Sequence, residues 1–139
     1  MDAVMSIPEL HAFLAEVFPQ VNHQFAVEEI TEDGIVVRLI VGEEHLRPGG
    51  TVSGPSMFGL ADVAVYLAVL SRIGPKALAV TTNCSIDFMR KPAAATDLIA
   101  TCTLLKLGKA LAVGDCLLRS EGMEAPVARA SLTYSIPPK

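Results

Sequence analysis

Long apolar runs are absent from this chain of 139 residues. The longest, Val63 to Leu70, has eight residues, against the roughly 18–20 that a membrane-spanning helix needs. No membrane span or membrane partner is therefore expected. Cysteine is limited to Cys84, Cys102 and Cys116, whose spacings of 18 and 14 fit no CxxC or zinc pattern. Their odd number and the lack of a secretory leader point to reduced thiols and a cytoplasmic location. The histidines His11, His23 and His45 are scattered without HExxH or HxH spacing, which argues against a metal site. A positive balance is lacking too: the net charge is −4, so nucleic acid is not an expected partner. Tryptophan is missing and aromatics make up only 5%.

What is present is grease. Apolar residues account for 51% of the chain and mean hydropathy is +0.46. That excludes disorder. A domain of about this size buries roughly 70% of its unfolded surface, so residues 1–139 suit a single domain without metal or disulfide staples. The apolar content exceeds what a monomer needs and hints at a buried subunit interface. Charge is uneven. Residues 1–44 carry nine acids and one base, Arg38, whereas residues 45–139 carry six acids and ten bases. The second part could face an anionic ligand, or the clustering could be chance.

Ser6-Ile7-Pro8-Glu9 is a capping-box pattern that starts a helix over about 6–18; Leu10, Phe13, Leu14 and Val17 follow at helical spacing and Pro19 stops it. Residues 23–31 and 35–41 are expected strands joined by a Glu32-Asp33-Gly34 turn. A Gly/Pro-rich loop over 43–54 leads into a helix over 55–73 that is apolar almost all round and so calls for burial on most sides. Strands are expected over about 77–90, 97–107, 110–119 and 126–136, with turns at Gly108-Lys109 and Ser120-Glu121-Gly122. In the last run Ala128, Ala130, Leu132, Tyr134 and Ile136 share one face. The natural wrapper for one greasy helix is an antiparallel sheet curling round it, an α+β core over about 23–136.

Three features could carry chemistry. Asp62 is the only charged residue between Arg47 and Arg72, inside the most apolar segment. A carboxylate there must be paired or have a raised pKa, as functional acids and bases do, unless it is a structural carboxylate that is salt-bridged or turned to solvent. The second feature is the junction Gly49-Gly50-Thr51-Val52-Ser53-Gly54-Pro55-Ser56. Free N–H groups at a helix start can hold an oxyanion, and because Pro55 has none, the donors left are those of Gly54, Ser56 and Met57; many such loops are only turns. The third is the strand 80–88. Its alternation puts Val80, Cys84, Ile86 and Phe88 on one face and Thr81, Asn83, Ser85 and Asp87 on the other, a polar row that could position water or simply be solvated. Arg90, Lys91, Lys106 and Lys109 could bind phosphates or serve solubility. Gly54 and Asp62 lie eight residues apart, about 12 Å along one helix at ~1.5 Å per residue. One carbonyl cannot easily touch both, so a shared site would take Asp62 from a second subunit.

The stretches His45-Leu46-Arg47-Pro48-Gly49-Gly50-Thr51-Val52-Ser53-Gly54-Pro55, Leu60-Ala61-Asp62, and Ala79-Val80-Thr81 through Phe88-Met89-Arg90-Lys91-Pro92 resemble those of hotdog-fold acyl-CoA thioesterases, the PaaI-like branch in particular. The resemblance covers about residues 24–136. It implies a hotdog fold, an acyl-CoA substrate with CoA as part of it and no other cofactor, and assembly into a homodimer or homotetramer. By position it makes Asp62 the catalytic acid, as general base or nucleophile, and the Gly54 N–H the oxyanion donor. Thr81 falls where relatives place a water-positioning hydroxyl. His45 matches the family's first His and Gly50 its loop glycine. Arg47 stands where the family has Asn, and Ser53-Gly54-Pro55 replaces its HGG triplet. With these, Ser56, Asn83, Arg90 and Lys91 complete the expected substrate contacts. Losing the Asn and His leaves a non-hydrolytic acyl-CoA-binding protein as an alternative. A hydratase or dehydratase built on His45 is a third.

Overall fold

The computed structural model describes residues 2–138. The capping box forms as its sequence predicts: Ser6 Oγ accepts the Glu9 N–H at 3.3 Å and Glu9 Oε1 accepts the Ser6 N–H at 3.0 Å. They start α1 (Ile7–Val17), which buries Leu10 and Leu14. His11 Nε2 accepts the Val27 N–H at 3.1 Å and ties this helix to the sheet.

The strands are β1 (Phe25–Ile30), β2 (Gly34–Leu39), β3 (Val80–Phe88), β4 (Leu98–Leu107), β5 (Leu111–Ser120) and β6 (Ala128–Ser135). They form one antiparallel sheet in the order β1-β2-β4-β5-β6-β3, so β1 and β3 are its edges. β1 starts later than the expected residue 23 because Asn22–Gln24 close into a short 3-10 turn. Register shifts in β1, β3 and β4 insert one extra residue each. Such bulges bend a strand and raise its twist, and the sheet here curls round the long helix.

That helix, α2 (Gly54–Ile73), starts at Gly54 with Ser53 as its cap, and Gly74 closes it. Leu60, Ala64, Leu67, Ala68 and Leu70 are fully buried against inward residues such as Ile35, Leu98, Leu118 and Leu132. In length and hydropathy α2 matches a membrane-crossing helix, but 72% of its most apolar window is buried inside the sheet. Close fit needs small residues opposite it: a β-carbon on Gly114 would stand 3.2 Å from Val65. At the far end, the buried Arg72 donates to the carbonyls of Thr31 (2.6 Å), Glu32 (3.1 Å) and Gly34 (3.2 Å), fastening the β1–β2 turn to the helix. This is the α+β hotdog arrangement: a curled antiparallel sheet around a central apolar helix, with a short N-terminal helix alongside.

The core is not closed everywhere. Along the first half of α2, Pro55, Phe58, Gly59 and Asp62 form a stripe that the sheet leaves exposed or half-buried. The sequence pattern, apolar all round, does not distinguish this open side.

Candidate active site

Strict alternation fails in β3, and the failure builds the site. Thr81 pairs with Tyr134, but Asn83 pairs with Thr133, so Thr82 is an extra residue. The bulge turns Val80 outward, 56% exposed, and turns Thr81 toward α2. The expected grouping of Thr81 with Asn83, and of Val80 with Cys84, is thereby reversed. Period-two reasoning cannot survive an inserted residue. Asn83, Ser85 and Asp87 stay on the exposed side of the strand, and Asp87 pairs with Arg129 at 2.9 Å.

Thr81 Oγ1 donates to Asp62 Oδ1 at 2.5 Å. The Tyr134 hydroxyl lies 2.7 Å from the same oxygen and 3.0 Å from the Asp62 carbonyl. Asp62 is thus paired by two hydroxyls; no ion pair involves it among the described residues. Its Oδ2 has no hydrogen bond among these residues and is not sealed from solvent. One oxygen is anchored and the other is available. Burial, reinforced by the Asp62 charge, pushes the Tyr134 phenol well above its usual range, so it remains a donor. Burial and then the Asp62 charge likewise raise the Cys84 thiol. Tyr134 is absent from the sequence-derived site. The available signal was its place on the inward face of the last strand, since a buried tyrosine hydroxyl needs a partner.

At the head of α2 the donors are mostly taken. Ser53 Oγ accepts the Ser56 N–H at 3.3 Å and donates to Ser56 Oγ at 3.0 Å, while the Met57 N–H goes to the Ser53 carbonyl at 3.0 Å. Of the three expected donors, only the Gly54 N–H has no acceptor among the described residues. A β-carbon at Gly54 would meet the Phe88 ring at 3.3 Å, so the ring covers this turn. Upstream, Gly50 takes φ +83° and its N–H closes a turn on the Arg47 carbonyl at 3.0 Å.

His45 is buried and fully engaged. Its Nδ1 accepts the Gly42 N–H at 2.8 Å, which puts the ring proton on Nε2, facing Gln24 Oε1 at 2.8 Å. The Arg47 side chain is exposed and forms no ion pair among the described residues, Asp62 included. Arg90 and Lys91 are exposed just beyond β3, and Arg90 Nη1 donates to the Pro126 carbonyl.

Asp62 borders two cavities. One of about 370 Å³ runs past Tyr66, Val80, Thr81 and Tyr134. The other, about 380 Å³, runs past Phe18, Phe25, His45, Ser56 and Gly59. Within one chain, then, of the expected site residues Asp62 borders both cavities, Thr81 only the first, and His45 and Ser56 only the second. Gly54, Gly50, Ser53, Arg47, Asn83, Arg90 and Lys91 line neither cavity. No cluster of three or more metal-ligating side chains occurs among the described residues.

The sequence profile of the thioesterase superfamily matches residues 49–127, which hold the end of the glycine loop, all of α2 and strands β3, β4 and β5. The chain belongs to the thioesterase superfamily. No curated protein sequence matches it significantly. Among solved structures, a presumed thioesterase from a Silicibacter species is 60% identical, covers 99% of this chain and 96% of its own, and superposes with a TM-score of 0.93. A mutant of the phenylacetic acid degradation protein PaaI from Thermus thermophilus is 28% identical over 86% of this chain and 99% of its own, with a TM-score of 0.72. A hypothetical thioesterase from Streptococcus pneumoniae, crystallised with coenzyme A, is 19% identical over 96% and 98% of the two chains, with a TM-score of 0.74. At that identity the likeness concerns the fold. The family and fold that the Asp62 helix and its glycine loop imply are those found for this thioesterase-superfamily member.

Proposed function

We propose that the protein hydrolyses an acyl-CoA thioester to the free acid and CoA at a site shared between two subunits. The observation that carries this reading is the Asp62 carboxylate. Thr81 and Tyr134 hold Oδ1, and Oδ2 stays free beside two cavities. Such a group can take a proton from water as a general base, or attack the thioester carbon itself. In the first course the hydroxide adds to the carbonyl, the oxyanion rests on the Gly54 N–H, and collapse expels CoA as thiolate. One oxyanion donor is worth about a hundred- to a thousand-fold in rate.

The Gly54 N–H and the Asp62 carboxylate are too far apart on one helix for the same carbonyl, so the reading takes Asp62 from the partner subunit. The edge supports such pairing. β3 has an unpaired side, and Leu78, Val80, Phe88 and Met89 on or next to it are exposed, as is Phe58 on α2. A homodimer, assembling further to a homotetramer, follows as part of the proposal. Coenzyme A in the Streptococcus pneumoniae relative supports a CoA-type ligand, and three free cysteines suit a reducing cytoplasm.

One observation favours the alternative of binding without cleavage. Ser53, which replaces the family's His, is spent on capping α2, and Arg47, which replaces its Asn, is exposed. A hydratase reading finds no free base at His45, whose two nitrogens are both bonded. The deciding experiment measures thiol release from a panel of acyl-CoAs. Wild type should turn over at least one of them, and Asp62→Asn should lose about a hundred- to ten-thousand-fold. Saturable binding without thiol release would replace hydrolysis by the binding reading, and an unaffected Asp62→Asn would remove Asp62 from the mechanism.

A further inference from the structure

Gly59 is the residue of α2 that the fold leaves unexplained. Glycine is the poorest helix former after proline, and an isolated one in mid-helix calls for a packing or functional reason. Packing supplies none, because a β-carbon on Gly59 would find nothing within 4 Å. Backbone conformation supplies none either, since Gly59 is not among the glycines with positive φ. What it does border is the 380 Å³ cavity that Asp62, three residues further along the same helix face, also lines.

The walls of that cavity say what it suits. Phe18, Val21, Phe25, Leu39 and Val63 are apolar. Most of the polar members are engaged with one another or face solvent. Gln24 and His45 bond to each other, Ser56 bonds to the Ser53 cap, and the Glu44 side chain sits at the solvent rim, 58% exposed. Beside the free Asp62 oxygen, the Gln24 amide nitrogen and the Glu44 carboxylate are without a hydrogen bond among the described residues, and Glu44 lies at the solvent rim, away from the apolar walls. A mainly apolar space with the free Asp62 oxygen on its wall fits a hydrocarbon chain whose polar head stops at that carboxylate.

We infer that this cavity receives the acyl group of the substrate, that the group is a hydrocarbon chain or ring larger than acetyl, and that Gly59 sets how large it can be. The inference rests on the hydrolytic reading for its enzymatic test but not for its binding test. A β-carbon at position 59 meets no protein atom within 4 Å, so a side chain there starts in open space beside the cavity, and a larger one takes up part of the space the ligand would fill. In an apolar pocket one methylene is worth about 10–200-fold in discrimination.

The test compares acetyl-, butyryl-, octanoyl- and phenylacetyl-CoA in wild type, Gly59→Ala and Gly59→Leu. Wild type should prefer octanoyl- or phenylacetyl-CoA to acetyl-CoA. In Gly59→Leu the ratio of kcat/KM for octanoyl-CoA to that for acetyl-CoA should fall by at least about tenfold. Gly59→Ala should lower the ratio less and raise Tm by roughly 3–5 °C, since alanine suits the helix better and nothing obstructs it. An unchanged ratio in a folded Gly59→Leu would overturn the inference while leaving hydrolysis standing. So would a loss of self-association in that variant on gel filtration, because the space would then belong to the partner. If wild type cleaves nothing, the hydrolytic reading fails by itself, and calorimetry with octanoyl-CoA decides the inference. Binding that Gly59→Leu weakens at least about tenfold supports it; no binding, or equal binding, overturns it.

Discussion

Tyr134→Phe tests the anchoring of Asp62 most directly. The change removes one oxygen and keeps the ring, which is 3% exposed and stacked in a tilted contact with Tyr66 at 6.1 Å. No cavity forms, so the cost is that of the hydrogen bond to Oδ1 at 2.7 Å. A hydrogen bond to a charged group contributes about 1.5–3 kcal/mol, against about 0.5–1.5 kcal/mol for a neutral one. The structure supplies its own control. In an Asp62→Ala background the tyrosine hydroxyl loses the carboxylate but keeps the backbone carbonyl of position 62, now 3.0 Å away. Tyr134→Phe should then cost only the neutral amount. The difference, a coupling of about 1–1.5 kcal/mol, is well above the few tenths of a kcal/mol expected between independent sites. Urea unfolding of the four proteins at one fixed protein concentration measures it, the fixed concentration being needed for a self-associating chain. A cost for Tyr134→Phe that is the same with and without the Asp62 carboxylate would refute the anchoring. Thioester turnover in the same variants should fall in Tyr134→Phe as Asp62 loses one of its two fixed donors.

Two further outcomes follow from the charge environment. Cys84 is held up first by burial and then by the Asp62 charge, so Asp62→Asn should speed its alkylation at mildly alkaline pH, read by mass spectrometry; an unchanged rate would mean that the two groups do not interact. Arg38 binds Glu28, Asp97 and Glu121 at 2.6, 2.9 and 2.5 Å, and the guanidinium lowers the Glu121 carboxyl below its usual value. A lowered native value means that the unfolded chain binds protons first as pH falls. The stabilisation is therefore whole above the ordinary carboxylate range and is lost as pH drops through it toward the native value. Glu121→Gln should flatten that acidic limb of urea stability at low salt, with a smaller effect at high salt because the pair is solvent-screened.

Local rules made much of this protein legible. The Ser6–Glu9 box, the Gly108-Lys109 turn and the inward run from Ala128 to Tyr134 are set by capping, turn chemistry and side-chain alternation, which act within a few residues. A greasy helix between two blocks of strands is enough to call for a wrapping sheet, because its apolar surface has to be removed from water. Asp62 stood out for the same reason: a charge in such a helix must find partners. Which partners was another matter. Thr81 reaches Asp62 through a bulge that depends on how β3 registers against β6, a pairing between segments about fifty residues apart. Tyr134 arrives from the far end of the chain, and no periodicity announces that its hydroxyl ends at Oδ1. His45 lines a cavity beside Asp62, but that Gly42 and Gln24 occupy both its nitrogens is set by the fold. The stripe of Pro55, Phe58, Gly59 and Asp62 is open only because the curled sheet stops short of it. Short-range sterics and hydrophobic burial thus determined the elements and the lone acid. Long-range register and the limits of the sheet decided what holds that acid, which of its oxygens is free, and where space beside it remains.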